Sequence, residues 1–370
     1  MRRDAEASAR PPRIPSLDGL RAASIIMVLF AHAAASSAIP RASLARWGAE
    51  KCGELGVKIF FVISGFLITS LLLEELGERG EISLRSFYLR RAFRIFPAYY
   101  VYLAVIFALS AARLSPLRPN DALFAVAYTM NYHTDRAWNV GHAWSLSVEE
   151  QFYLLWPFVI AVAGPRRGAK VAIAVMLLGP IARGLCFALQ RHLGADIGIG
   201  QTFPTVADAL ATGCLLALGQ GRIQASSRYN AWLRSRWFWL APAFGITALI
   251  GTRLLVFGHL LGQTLLDLAV GVTVDRVVRV REGAIFRLLN RRPVVLLGTM
   301  SYSIYLWQQP FLNPEPSAPH LPLPLALALL LAVAWASYNL VEKPCLRARG
   351  RVEAWLARRA TPRSLASSAT

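Results

Sequence analysis

The sequence predicts an all-α fold: a polytopic membrane helix bundle of about ten transmembrane helices, with both termini in the cytoplasm. Three observations predict it. Only 16% of the 370 residues are charged and 55% are hydrophobic, against roughly 25% charged in a soluble globular chain. The apolar residues gather in ten stretches of the kind that cross a hydrocarbon core, which takes about 20 residues of helix. The basic residues fall mainly in alternate gaps between those stretches, the signature of membrane topology.

Taken in order, the stretches span 17–38, 56–76, 95–112, 144–163, 170–189, 202–219, 237–251, 255–274, 294–312 and 322–341. A further apolar segment, 122–132, is too short to span. Backbone at that depth must be covered by protein, so the segment reads as a partial or re-entrant helix packed on its neighbours. With the N-terminal side called inside, the inside segments 1–16, 74–94, 164–170, 219–236, 275–293 and 342–370 hold 29 of the 40 Lys and Arg residues. The outside loops 39–55, 113–143, 190–201, 252–254 and 313–321 hold 8, and Arg21, Lys58 and Arg183 lie within stretches. That bias puts the inside segments in the cytoplasm of a cell inner (plasma) membrane protein. The chain divides into a cytoplasmic segment 1–16, one membrane domain 17–346 and a basic cytoplasmic tail 347–370. The tail turns rich in Ser, Ala and Thr and is expected to be disordered from about 350.

A net charge of +19 raises nucleic acid as a partner. The basic residues sit in short clusters between apolar runs and not on a soluble face, which argues against it. The four cysteines, Cys52, Cys186, Cys214 and Cys345, form no CxxC and no metal spacing, so neither a disulfide framework nor a metal site is expected. A cleaved signal peptide ending near Ala31-His32-Ala33 is a rival reading of the first stretch. Asp18 and Arg21 interrupt its apolar part and oppose it.

Ionisable groups inside membrane stretches are costly and mark function. The first stretch carries Asp18, Arg21 and His32. Arg21 and His32 are eleven residues apart, within about 20° of three full helical turns, so they share one stripe roughly 16 Å apart. A histidine reaching the outer interface is the plainer account of His32 alone. The fourth stretch opens His142-Ala143-Trp144-Ser145-Leu146-Ser147-Val148-Glu149-Glu150-Gln151-Phe152-Tyr153. Its polar groups lie at the outer end, at the level of His32, where a carboxylate is expected to orient a histidine base. The plainer account is an aromatic helix start with acids at its N-terminal dipole. Arg91 and Arg94 are i, i+3 and share a face if helical. Guanidiniums so placed suit phosphate, though topology alone accounts for any one of them.

Together these residues resemble the acyltransferase-3 family, whose members O-acetylate bacterial surface polysaccharides. The resemblance runs from Leu17 to Pro344. It rests on Leu17-Asp18-Gly19-Leu20-Arg21 with His32, on Gly56-Val57 followed by Phe60 to Ile68, and on Arg91 with Arg94. It continues with residues 142 to 153, then with Tyr302 to Trp307 and the closing Glu342-Lys343-Pro344. Two positions depart from the family pattern: Lys58 stands where an acid is common, and Gln308 where a histidine is common.

The resemblance implies an acyltransferase that takes acyl-CoA, acetyl-CoA foremost, as donor substrate and needs no permanently bound cofactor. It implies Arg21, Arg91 and Arg94 as coenzyme-binding residues and His32 with Glu149 as the catalytic pair, Glu149 orienting the imidazole or binding the acceptor. Asp18, His142, Trp144, Ser145, Glu150, Gln151 and Tyr153 are implied as supporting or substrate-binding. The acceptor is a sugar or glycan hydroxyl outside. No appended soluble domain is read, so the membrane part is expected to act alone or to hand its acyl group to a separate extracytoplasmic protein. The alternative function is secondary transport of a sugar or anion; against it, no inverted repeat is visible.

Overall fold

The computed structural model describes residues 14–36, 40, 43–251, 258–315 and 321–360. All regular structure among the described residues is helical. The main elements are α1 (Pro15–Ala35), α2 (Leu44–Arg79), α3 (Leu84–Ala111), α4 (Asp121–Val126), α5 (Trp138–Gly141) and α6 (Ala143–Leu193). After them come α7 (Phe203–Ala225), α8 (Ser227–Arg234), α9 (Leu240–Gly251), α10 (Gln263–Arg279), α11 (Gly283–Leu289) and α12 (Arg292–Thr299). The last are α13 (Ser301–Phe311), α14 (Leu323–Ser337) and α15 (Lys343–Ala360).

Five of these helical segments are long and apolar enough to cross a membrane: Pro15–Ala35, Leu44–Arg79, Leu84–Ala111, Trp138–Leu193 and Leu323–Val352. Two expected stretches, 144–163 and 170–189, fall within α6. Gly164, at φ 72 and ψ 168, breaks the helix there, and Pro165 restarts it. The stretch 294–312 is split at Met300 between α12 and α13. The segment 122–132 forms α4 and a short 3₁₀ turn, Met130–Tyr132, with Asp121, Ala125, Met130 and Asn131 fully buried. Helix α15 runs on to Ala360, past the point near 350 where disorder is expected. Residues 1–13, 37–39, 41–42, 252–257, 316–320 and 361–370 lie outside the described residues, and with them the end of the expected stretch 17–38 and the start of 255–274.

Local chemistry sets the ends. The Ser43 side chain accepts from the Arg46 N–H and caps α2, and left-handed Gly80 closes it. The Ser83 side chain caps α3 in the same way.

Helix α2 is central: 67% of its apolar window is buried, against 17% for Trp138–Leu193, whose Leu154, Leu155, Phe158 and Val162 are exposed as lipid-facing residues would be. Small residues allow α2 to be central. A Cβ on Gly65 would stand 2.0 Å from the Leu210 carbonyl oxygen, and one on Gly213 2.1 Å from that of Val62. Helices α2 and α7 thus meet backbone to backbone, the close approach that membrane packing favours.

Two apolar clusters result. One unites α2, α6, α7 and α10; the other unites α1, α3, α13 and α14 with the α4–α5 segment. Val57 and Tyr302 pack against both, and the polar site opens along that seam.

Candidate active site

Two cavities adjoin at the seam. The first collects Arg21 from α1, Ser64 from α2, Arg91 and Arg94 from α3, and Ser145, Glu149, Glu150 and Tyr153 from α6. Arg91 and Arg94 face the same space, as their spacing predicts. The Arg91 guanidinium lies over the Tyr153 ring at 5.1 Å and the Phe87 ring at 5.7 Å, a cation–π seat that fixes its plane. Neither Arg91 nor Arg94 has a salt-bridge partner among the described residues. Arg21 sits 3.6 Å from Asp18. Ser64 donates to Glu149 Oε1 at 2.6 Å and accepts from the Tyr153 hydroxyl at 3.1 Å. Asp18 offsets Arg21, so Arg91 and Arg94, without salt bridges of their own among the described residues, are the groups best placed to meet a polyanion.

The second cavity is lined by His32 from α1, Arg46, Glu54 and Lys58 from α2, Arg136 and Trp138, and His142 and Trp144. The His32 ring is held by two contacts. Trp138 meets it edge-on at 5.2 Å, and Nδ1 lies 3.0 Å from Gln308 Oε1. The Gln308 amide is itself oriented: its Nε2 donates to the Tyr305 carbonyl at 3.1 Å. Oε1 therefore faces His32 as an acceptor, and Nδ1 must carry the hydrogen. The assignment follows from the hydrogen-bond network. It leaves the Nε2 lone pair free, the condition for a general base.

Most cations of this cavity are matched. Arg46 pairs with Glu50 at 3.0 Å and donates to the Ala34 carbonyl at 2.6 Å. Lys51 pairs with Glu54 at 2.7 Å and Lys58 with Asp267 at 2.9 Å. Arg183 pairs with Asp208 at 2.9 Å. Arg136 differs: it donates to the Met130 and His133 carbonyls, at 2.9 and 2.7 Å, and to Gln201. Its charge has no carboxylate salt bridge among the described residues.

The structure brings Arg21, Arg91, Arg94, Ser145, Glu149, Glu150 and Tyr153 together in one cavity, and His32, His142 and Trp144 in the other. It separates the expected His32–Glu149 pair. Glu149 lies more than a helical turn beyond Trp144 along α6, which carries it past the wall between the cavities and onto Ser64. Gln308 takes the place expected for Glu149 beside the imidazole. Gln151 lines neither cavity. It exchanges hydrogen bonds with Asn131, at 2.9 and 3.3 Å, and donates to the Tyr128 carbonyl at 3.1 Å, pinning the 122–132 segment to α6. Asp18 lines neither cavity and touches the first through Arg21.

Sequence reasoning missed Ser64, Arg136, Trp138 and Tyr305 as site residues. Ser64 lies inside the quoted Phe60–Ile68 motif and Tyr305 inside Tyr302–Trp307, so a signal existed for both. Arg136 and Trp138 lie in an expected outside loop, with no motif to mark them.

A family model described as an acyltransferase domain matches residues 14–339. A Bacillus subtilis (strain 168) protein provisionally named a peptidoglycan O-acetyltransferase is 27% identical over 91% of this chain and 55% of its own length. An O-acetyltransferase of Staphylococcus aureus (strain NCTC 8325 / PS 47) is 26% identical over 92% of this chain and 58% of its own. A peptidoglycan O-acetyltransferase of Listeria monocytogenes (serovar 1/2a, strain ATCC BAA-679 / EGD-e) is 26% identical over 90% and 55%. The chain thus spans little more than half the length of these curated relatives. No solved structure matches it.

Proposed function

Because this chain belongs to the acyltransferase-3 family, we propose that it moves an acyl group, acetyl foremost, from cytoplasmic acyl-CoA to a hydroxyl of a sugar or surface glycan at the outer face. The observation that carries this reading is the adjacency of the two cavities. One offers three guanidiniums to a polyphosphate, and the next offers an imidazole whose Nε2 is free. The relatives' names make peptidoglycan the first acceptor to try.

In this reading Arg91 and Arg94 hold the coenzyme phosphates, and the pantetheine arm runs past Arg21, Ser64 and Glu149. Arg21 and His32 are separated by roughly 16 Å along α1, a distance for an extended arm to cover. At the thioester, His32 Nε2 takes the proton of the acceptor hydroxyl while that oxygen bonds the acyl carbon. The carbon–sulfur bond breaks with its electron pair on sulfur. The proton then passes from His32 to the thiolate, releasing free coenzyme A. Gln308 keeps the ring in the reactive tautomer throughout.

We place ten crossings, 17–346 as the membrane domain and both termini in the cytoplasm of the inner membrane, on the strength of the charge bias. The phosphates then bind on the side where acyl-CoA is made. The test is transfer of labelled acetyl from acetyl-CoA to a soluble peptidoglycan fragment by purified protein in detergent. The wild type should acetylate the fragment, and His32→Ala should lose the 10²–10⁴-fold typical of base catalysis. Wild-type rates from folded His32→Ala protein would overturn the proposal.

A further inference from the structure

The wall between the cavities consists of three residues that line both: Val57, Phe61 and Tyr305. Val57 and Phe61 are one turn apart on α2 and present one face. Phe61 is 2% exposed and meets Trp144 edge-on at 6.1 Å. Tyr305 is 7% exposed, its ring edge-on to Phe60 at 6.4 Å. Its hydroxyl is 2.5 Å from Ser145 Oγ and donates to the His142 carbonyl at 3.2 Å. Both rings are therefore held in place, and the Tyr305 hydroxyl is already engaged. The collar is an apolar step between two polar spaces, with no charged side chain in it.

We infer that the Val57–Phe61–Tyr305 collar selects the donor by the charge of its acyl group, passing a neutral acetyl and holding back a carboxylate-terminated acyl such as succinyl. The inference rests on the donor path proposed above. The acyl end leads the coenzyme through the collar. The pantetheine arm must itself occupy the collar when the thioester is at His32, so an unbranched neutral chain fits by width. A terminal carboxylate meets two obstacles. Arg21, Arg91 and Arg94 attract it on the donor side, and the collar offers it no hydrogen-bond donor that is not already used. A charged side chain in an apolar membrane interior is disfavoured by roughly a hundred-fold on insertion scales.

The test compares acetyl-CoA and succinyl-CoA as donors to one glycan acceptor, with purified full-length wild type, Phe61→Ala and Val57→Ala. The wild type should prefer acetyl by about a hundred-fold in kcat/KM. Truncating the collar admits water beside the passing acyl group. At least one of the two variants should therefore keep acetyl transfer and lose about ten-fold of the preference. Equal use of the two donors by the wild type overturns the inference. So does an unchanged preference in variants that still transfer acetyl. If neither variant transfers acetyl, the wild-type preference decides. Absence of transfer from every acyl-CoA by folded wild type would instead sink the donor reading itself.

Discussion

Replacing Gln308 with leucine removes the carbonyl that holds the His32 imidazole while keeping most of the side-chain volume. The structure gives His32 Nδ1 one polar partner, Gln308 Oε1 at 3.0 Å, in a site where Gln308 is fully buried. Leaving a buried donor unsatisfied costs about 1–3 kcal/mol. The ring escapes that cost by rotating or by moving its proton to Nε2, and either change removes the lone pair that takes the acceptor proton. At 1.36 kcal/mol per decade, kcat should fall by about 5- to 150-fold. In the proposed reading the coenzyme phosphates bind on α3, across the collar, so KM for acetyl-CoA should stay within about two-fold. That split is the diagnostic, since a general packing defect would move both parameters. Gln308→His, which offers a second imidazole, should recover part of the rate. The assay is steady-state acetyl transfer with each substrate varied in turn. An unchanged kcat in Gln308→Leu protein, with His32→Ala inactive, would refute the orienting role.

Three other outcomes follow from the geometry. Arg91→Ala and Arg94→Ala should each raise KM for acetyl-CoA by about ten-fold or more, and Arg91→Lys should not restore it, because a planar fork over Tyr153 is not replaced by an ammonium; initial rates against donor concentration check this. Lys58→Met strands Asp267, which is fully buried, and should cost about 3–5 kcal/mol of stability. Thermal unfolding in detergent measures that loss, and Lys58→Met with Asp267→Leu should recover most of it. Gly213→Leu forces a side chain into the Val62 carbonyl and should sharply lower the yield of folded protein in size-exclusion profiles.

The fold was readable because a bilayer imposes a simple rule on composition: long apolar runs become helices, whatever their packing. The Arg91/Arg94 pair was readable for a similar reason, since both residues lie on one helix and i, i+3 spacing settles their face. Depth was harder. Glu149 and His32 were set at one level from their places near helix ends, but a side chain more than a turn further along α6 clears the collar and meets Ser64. The true partner of His32 lies 276 residues away in sequence. Gln308 stood out only as a departure from a family pattern, and its task depends on how α13 is rotated against α1, which no local spacing encodes. Lys58, the other departure, has its explanation in Asp267, on a helix nearly as remote. Arg136 and Trp138 reach the histidine cavity because the 122–132 segment is tied back by Gln151, a long-range amide exchange with no sequence signature.

The central claim is that an acyl group enters from the arginine cavity and leaves from the histidine cavity. Sided proteoliposomes test it most directly, with acetyl-CoA sealed on the side of the Arg91 and Arg94 cavity and a glycan acceptor supplied on the other. The expected result is acetylated glycan on the far side, no passage of intact acetyl-CoA, and loss of product with His32→Ala. Product formed only when donor and acceptor share a side, or formed undiminished by His32→Ala, would contradict the claim.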